Sequence, residues 1–296
     1  MNWARLVAAA IAFFVASSAD AAKLRVVASF SILGDITAQI GGDRIDLHTL
    51  VGPNSDAHVY EPTPVDGKTI AQADVIVLNG LNFEPWAERL IKSAAAKGTV
   101  VVASAGVKAL PFRADAGIGA RTAIDPHAWQ DLRDGQLYAR NIAAALAAAD
   151  PANRPFYEAS VAAYCAKLAS LDGDVRAAFA SIPQNRRRVI TSHDAFGYFG
   201  AAYGIEFIAP LGVSTEDQAS ARGVAHLIDQ IRRERITAVF VENISDPRLI
   251  QQIARETGAS VGGELFSDAL SKSGGPAATY TDMFRHNVNA LTAAMT

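Results

Sequence analysis

Cysteine is almost missing from this chain. Cys165 is the single cysteine among 296 residues, and it lies in a segment of helical composition. One cysteine cannot form an internal disulfide, and the same count excludes a metal site built from several thiolates. Any metal that this protein binds must therefore be held by nitrogen and oxygen atoms.

The chain also lacks a strong charge of either sign. Its formal net charge is -3, and it contains no long basic run. Because nucleic acids and anionic membrane surfaces attract clustered basic side chains, we expect neither as a partner.

Hydrophobic runs long enough to span a membrane are missing as well. The apolar run 6–16 has 11 residues, follows Arg5 and precedes Ala19-Asp20-Ala21. This pattern is typical of a secretory signal peptide, here residues 1–21, although a buried N-terminal helix would also be apolar. We expect a mature protein that is soluble in the periplasm. No cysteine lies near the cleavage site, so no lipid anchor is indicated.

Strand-like and helix-like segments alternate from residue 24 onward. The continuous apolar character of Asp74–Leu78 and Thr99–Ala103 is typical of parallel strands that are buried on both faces. The alternation predicts an α/β fold with two lobes, each a mostly parallel sheet flanked by helices. The predicted strands are Leu24–Phe30, Ile45–Val51, Asp74–Leu78, Thr99–Ala103, Arg188–Ser192, Glu206–Ala209, Ala238–Glu242 and Ser260–Leu265.

The alternation stops between the two series. Residues 114–123 are rich in glycine and alanine and are predicted to form a loop, while 131–181 show only helical composition. A helix over 156–181 would be about 39 Å long, which suits a rigid connector. We therefore predict an N-terminal lobe over 22–150, a connecting helix over 151–182 and a C-terminal lobe over 183–296.

Three of the six histidines share a context. His58, His127 and His193 each lie in a polar or proline-marked turn between a strand and a helix. In open α/β sheets ligands bind beyond the carboxyl ends of strands, so these turns are candidate binding loops. The other three lie in a predicted strand (His48) and in predicted helices (His226, His286), where we expect surface or packing roles.

Asp268 completes a candidate metal site. It follows the last strand, and the four residues are separated by 66 to 75 positions, so each follows a different strand. Three imidazoles and one carboxylate form a tetrahedral set suited to Zn²⁺. Imidazole ligands must be neutral, so we expect binding to weaken below roughly pH 6.5.

Spacing alone leaves other interpretations open. A histidine before a helix is often a cap or a packed turn residue, and the short zinc motif His-Glu-x-x-His is absent. A secreted zinc hydrolase is an alternative, with Asp268 as a loose ligand and Glu242 as the general base. Four protein ligands leave no open position on zinc, which favours a binding protein over an enzyme.

Several segments resemble, in the same order, one known family. They are His58–Pro64 (HVYEPTP), Asn79–Trp86 (NGLNFEPW), Asp125–Trp129 (DPHAW), Ser192–Phe199 (SHDAFGYF), Phe240–Glu242 (FVE), Asp268–Leu270 (DAL) and Gly274–Tyr280 (GGPAATY). Together they resemble the metal-specific solute-binding proteins of bacterial ABC importers, the zinc and manganese family called cluster A-I. The resemblance covers nearly the whole mature chain.

The resemblance implies two α/β lobes joined by a long helix, with a metal ion in the cleft. It implies His58, His127, His193 and Asp268 as ligands and favours Zn²⁺ as cargo, with a manganese- or iron-specific binding protein of the same family as the alternative. It also implies a permease of an ABC importer in the inner membrane as partner. A periplasmic metallochaperone is a further candidate partner, and we expect a monomer. Zinc-specialised members often carry a histidine-rich loop between the first two ligands, whereas Pro111 to Ile124 is short and has no histidine.

Overall fold

The computed structural model describes residues 22–113, 122–216 and 219–296. The predicted signal peptide and most of the predicted loop 114–123 lie outside these ranges. Within them, the helices are too short or too polar to cross a membrane.

The first lobe contains a four-stranded parallel sheet. Its strands pair in the order β2-β1-β3-β4. They are β1 (Leu24–Phe30), β2 (Ile45–Val51), β3 (Val75–Leu78) and β4 (Thr99–Val102). The helices of this lobe are α1 (Ser31–Gly41), α2 (Pro64–Gln72), α3 (Ala87–Ser93) and α4 (Leu132–Ala149). All four predicted strands of this half are confirmed, and their ends shift by one residue at most. The prediction that the fourth strand is buried on both faces is wrong, because β4 lies at the sheet edge and leaves Val100 and Val102 44% and 42% exposed.

Local sequence explains where α2 begins. Thr63 caps the helix through a reciprocal capping box with Asp66, and Pro64 occupies the first turn. A short antiparallel hairpin of β5 (Pro111–Arg113) and β6 (Thr122–Ile124) precedes α4. The prediction that the loop extends to residue 123 is therefore wrong at its C-terminal end, because Thr122 and Ala123 pair with Arg113 and Phe112.

A single long helix links the lobes. It is α5 (Arg154–Ala180), with 27 residues, close to the predicted 156–181. At 1.5 Å per residue it is about 40 Å long. It packs against α1 and α4 of the first lobe and against α6 (Gly197–Tyr203) and α9 (Tyr280–Met295) of the second. A helix held by both lobes along its length restricts their relative movement.

The second lobe repeats the architecture. Its parallel sheet has the order β10-β9-β7-β8. The strands are β7 (Arg188–Ile190), β8 (Glu206–Ile208), β9 (Ala238–Glu242) and β10 (Ser260–Leu265), and two further helices are α7 (Ala221–Glu234) and α8 (Arg248–Thr257). Strand β7 stops before the predicted Ser192, because the Ser192 backbone N–H donates to the Glu242 side chain instead of a neighbouring strand.

The hydrophobic core is continuous between the lobes on the side of α5 and α9. Trp129 from the first lobe and Tyr280 from the second are fully buried in the same cluster. The Tyr280 hydroxyl donates to the Trp129 carbonyl. A smaller separate cluster lies under α7 and α8. The loops at the carboxyl ends of the two sheets therefore meet above a packed interface.

Candidate metal centre

The structure brings the four predicted ligands together. His58, His127, His193 and Asp268 each offer one ligand atom, and these atoms lie within 4.8 Å of one another. His58 follows β2, His127 follows the hairpin, His193 follows β7 and Asp268 follows β10. His58 is 6% exposed and the other three are fully buried.

The distances fit a tetrahedral cation. Asp268 Oδ2 lies 3.2 Å from His58 Nε2 and 3.1 Å from His193 Nε2. Asp268 Oδ1 lies 3.6 Å from His127 Nε2. Zinc bonds of about 2.0 to 2.2 Å in tetrahedral geometry separate neighbouring ligand atoms by about 3.3 to 3.6 Å. The separations that involve Asp268 are therefore close to those of one zinc coordination sphere, whereas the four ligand atoms as a set are spread over up to 4.8 Å.

Several polar atoms of this cluster make no aligned hydrogen bond among the described residues, although Asp268 lies 3.2 Å from His58 Nε2 and 3.6 Å from His127 Nε2. They are His58 Nε2, His127 Nε2 and Asp268 Oδ1, and all are buried. A buried polar atom without a partner costs about 1 to 3 kcal/mol. A cation held between these atoms would compensate for that cost, and the donor set fits Zn²⁺ chemically.

Two of the imidazoles have a carboxylate on their other ring nitrogen. Asp125 Oδ1 lies 2.8 Å from His127 Nδ1 and also accepts the His127 backbone N–H. Glu242 Oε2 lies 2.6 Å from His193 Nδ1, and its Oε1 accepts the Ser192 and His193 backbone N–H groups. A carboxylate at Nδ1 holds a proton there and leaves Nε2 facing the metal.

The carboxylates also control the protonation of the metal-free site. Burial by itself lowers the pKa of His127, but the charges of Asp268 and Asp125 outweigh burial and raise that pKa to about 9. Burial also opposes the charge on His193, yet Glu242 and Asp268 raise its pKa well above the ordinary value. Conversely, burial favours protonation of Asp268, but His127 and His193 hold its pKa well below the usual range. In the absence of metal, His127 and His193 therefore carry protons.

Aromatic rings enclose the cluster on the first-lobe side. The Phe83 ring centroid lies 4.6 Å from that of His58, and the Trp129 centroid lies 5.2 Å from that of His127. Trp129 Nε1 and Gln130 Nε2 both donate to the Ser267 carbonyl, at 2.9 and 2.8 Å. The loop that carries His127 is therefore bonded directly to the loop that carries Asp268.

A second link crosses the cleft beside His58. Asp56 Oδ1 accepts the His58 backbone N–H at 2.9 Å, and Asp56 Oδ2 accepts the Thr215 hydroxyl of the second lobe at 2.6 Å. The same carboxylate therefore fixes the His58 turn and connects the lobes.

The other histidines lie where the sequence placed them. His48 is in β2, His226 in α7 and His286 in α9, where its Nε2 lies 2.9 Å from the Glu264 carbonyl. None of the three belongs to the cluster. Sequence reasoning missed Phe83 as a neighbour of two ligands, although the segment Asn79–Trp86 that contains it was singled out.

This fold and site define a class of protein. Two α/β lobes that bring four candidate ligand side chains to one point are typical of a solute-binding protein for a metal ion. Comparison with known proteins identifies the family within this class. Residues 26–294 match the ZnuA family, described as zinc-uptake complex component A, periplasmic. The chain belongs to this family, whose members are substrate-binding proteins of ABC transporters and not enzymes.

Relatives in the family differ in the metal that their names state. The manganese ABC transporter substrate-binding lipoprotein PsaA of Streptococcus pneumoniae is 36% identical over 93% of this chain and 89% of its own length. The iron ABC transporter substrate-binding lipoprotein MtsA of Streptococcus pyogenes is 34% identical over 93% and 89%. The solved periplasmic zinc-binding protein TroA of Treponema pallidum is 30% identical, with a TM-score of 0.85, and the match covers 93% of this chain and 99% of TroA.

Proposed function

We propose that this protein captures one zinc ion with His58, His127, His193 and Asp268 and delivers it to an ABC importer. The observation that carries the proposal is the convergence of four buried ligand atoms within 4.8 Å. The lobe boundaries proposed above place two ligands in 22–150 and two in 183–296. Each lobe therefore supplies half of the coordination sphere.

The chemistry of the donors favours zinc over manganese. Imidazole nitrogen suits zinc, whereas carboxylate and carbonyl oxygens suit manganese. Three of the four donors here are imidazoles, and the 3.1 to 3.6 Å separations between Asp268 and the imidazole nitrogens suit tetrahedral coordination. Manganese or iron is the second candidate, because relatives of similar identity are named for those metals.

The partner in this proposal is the permease of the importer in the inner membrane, and the site of action is the periplasm. The name of the matching family supports this location. The bacterial relatives PsaA and MtsA are named lipoproteins, whereas the sequence of this chain gives no indication of an anchoring cysteine near residue 21. We propose a monomeric protein, with a periplasmic metallochaperone as a further candidate source of metal.

Metal analysis of the purified protein tests the proposal. Protein purified without added metal should carry up to one zinc per chain by elemental analysis. In a competition between zinc and manganese, zinc should bind more tightly. Replacement of any one ligand by alanine should lower the affinity while the metal-free fold persists. A preference for manganese would overturn the choice of zinc, and a protein that binds none of zinc, manganese and iron would overturn the function.

A further inference from the structure

The segment Asn79–Trp86 supplies no ligand, yet it contacts both ligand-bearing loops of the first lobe. Trp86 Nε1 donates to the Ala57 carbonyl at 2.8 Å, directly before His58. The Asn79 side-chain amide donates to the Pro126 carbonyl at 2.9 Å, directly before His127. Between these two contacts, the Phe83 ring packs against the His58 ring. The segment therefore determines where two of the four ligands lie.

The backbone of this segment is unfavourable for its sequence. Gly80, Leu81 and Asn82 have φ values of 82°, 53° and 63° in succession. Left-handed backbone suits glycine and is tolerated by asparagine, but it is strained for leucine. A strained loop persists only where its surroundings hold it, so some interaction must stabilise this one.

The Glu84 carboxylate provides that interaction. Its Oε1 accepts the Ser29 hydroxyl at 2.5 Å and the Asn79 backbone N–H at 2.7 Å, and its Oε2 accepts the Gly80 backbone N–H at 3.3 Å. Ser29 belongs to β1, Asn79 follows β3, and Gly80 begins the strained turn. One side chain thus ties the turn to two central strands of the sheet.

A carboxylate in this position calls for an explanation. Glu84 is only 8% exposed, and its three donors are neutral groups. Burial raises the pKa of Glu84 to about 7, although the hydrogen bonds from Ser29 and Asn79 oppose the rise. Burying an acid in a neutral environment is unfavourable. Its benefit is that both oxygens accept hydrogen bonds, which a glutamine cannot reproduce.

We propose that Glu84 is a positioning residue for metal binding: it holds the strained 80–82 turn, and through Asn79, Phe83 and Trp86 it fixes the loops of His58 and His127. This inference rests on the proposed function. Glu84 is not among the clustered ligand residues, so the inference assigns the effect of its replacement to the loops that it holds.

The variant E84Q tests the inference. Glutamine keeps the volume and one acceptor oxygen, but it presents an NH₂ group where Oε2 accepts from Gly80. We expect zinc affinity to fall by about tenfold or more, as is usual when support of a ligand is lost, with most of the change in the dissociation rate. With Co²⁺ as a spectroscopic probe, the visible absorption of the tetrahedral site should shift or weaken.

Asp172 offers a matched control. It is a carboxylate of the same exposure, 8%, on α5, where it accepts hydrogen bonds from Arg176 and Tyr203 away from the cluster. D172N should lower the thermal midpoint while it leaves zinc affinity and the cobalt spectrum unchanged. If E84Q and D172N bind zinc equally well, Glu84 has a structural role only and the inference is wrong.

A second variant decides the matter if E84Q does not fold. S29A removes one donor from Glu84 and leaves the carboxylate in place, so it should give a smaller loss of affinity in the same direction. Wild-type affinity and an unchanged cobalt spectrum in S29A would then overturn the inference. Failure of the wild-type protein to bind any metal would instead overturn the proposed function, which keeps the two results distinct.

Discussion

Lowering the pH from about 8 to about 6 should weaken zinc binding steeply, because protons and zinc compete for the same imidazole nitrogens. His127 and His193 both have raised pKa values in the metal-free protein, from the charges of Asp125, Glu242 and Asp268. The sequence alone placed the loss of affinity below roughly pH 6.5, the ordinary value for histidine. The carboxylates around the site move that loss to higher pH.

The structure gives the size of the effect. The pKa of His127 is about 9. At pH 7, which is about two pH units lower, His127 is protonated, and zinc must displace that proton to bind. Each unit corresponds to about 1.4 kcal/mol, which makes about 3 kcal/mol, or a hundredfold in apparent affinity, for this residue alone. His193 acts in the same direction. While both are protonated, the affinity should therefore change by about two decades per pH unit.

Calorimetry measures this coupling directly. Zinc titrations at one pH, in buffers of different ionisation enthalpy, give the number of protons released from the slope of enthalpy against buffer enthalpy. We expect about two near neutral pH, and chelator competition from pH 6 to 8 should show the matching loss of affinity. Release of less than one proton, or an affinity that stays constant over this range, would refute protonated ligands in the metal-free site.

Three further predictions concern single residues. His193→Ala removes one of three nitrogen donors, so calorimetry should show at least about a tenfold loss of zinc affinity, with the metal-free circular dichroism unchanged. Glu242→Gln leaves the ligands intact but weakens the partner of His193 Nδ1, and chelator competition should show a loss of about 10- to 100-fold. The pKa of Glu84 rises from 4.5 to about 7 on folding, so its contribution to stability is present at low pH and is lost as the pH rises through about 7. In urea unfolding, wild-type protein should lose up to about 3 kcal/mol relative to E84Q between pH 5 and 8, and parallel pH profiles would contradict this.

Most of the fold could be predicted from local pattern. A continuous apolar run correctly predicted the buried strand β3. The same signal at β4 gave a correct strand but a wrong burial, because β4 lies at the sheet edge and leaves Val100 and Val102 exposed. Thr63 with Pro64 marked the start of α2, which the capping box confirms. The hairpin was missed because each strand has three residues, too few for a periodic pattern. Its pairing also depends on contacts beyond the segment itself.

The positions of the ligands could be predicted because they follow from topology. Parallel strands present their carboxyl ends at one edge of a sheet, so polar residues after different strands are expected to meet there. The outer carboxylates were harder to predict. Asp125 precedes Pro126, a sequence that is typical of a turn, yet its Oδ1 accepts from the His127 backbone and also faces the His127 ring. The sequence cannot show that one carboxylate oxygen both holds the turn and contacts the imidazole ring.

The importance of Glu84 was hidden for a different reason. A left-handed turn is usually signalled by glycine, but here only Gly80 gives that signal, while Leu81 and Asn82 adopt the same backbone region. The strain becomes visible only in the structure, and with it the need for a buried acceptor. Local sequence rules fail here at a segment that supports a site, which is where such failures are expected.

The charge of Asp125 attracts zinc, and it also attracts the protons that zinc displaces. Its net effect on zinc affinity therefore depends on pH. Below the pKa of the two imidazoles, zinc replaces about two protons, so the charge of the site hardly changes and an attraction from Asp125 largely cancels. Above that pKa, zinc meets neutral imidazoles and the attraction acts in full on a doubly charged ion. The variant D125N should therefore lose little affinity at about pH 6 and progressively more toward pH 9, measured by chelator competition at each pH. A loss that is the same at every pH would mean that Asp125 acts only by orienting the His127 ring.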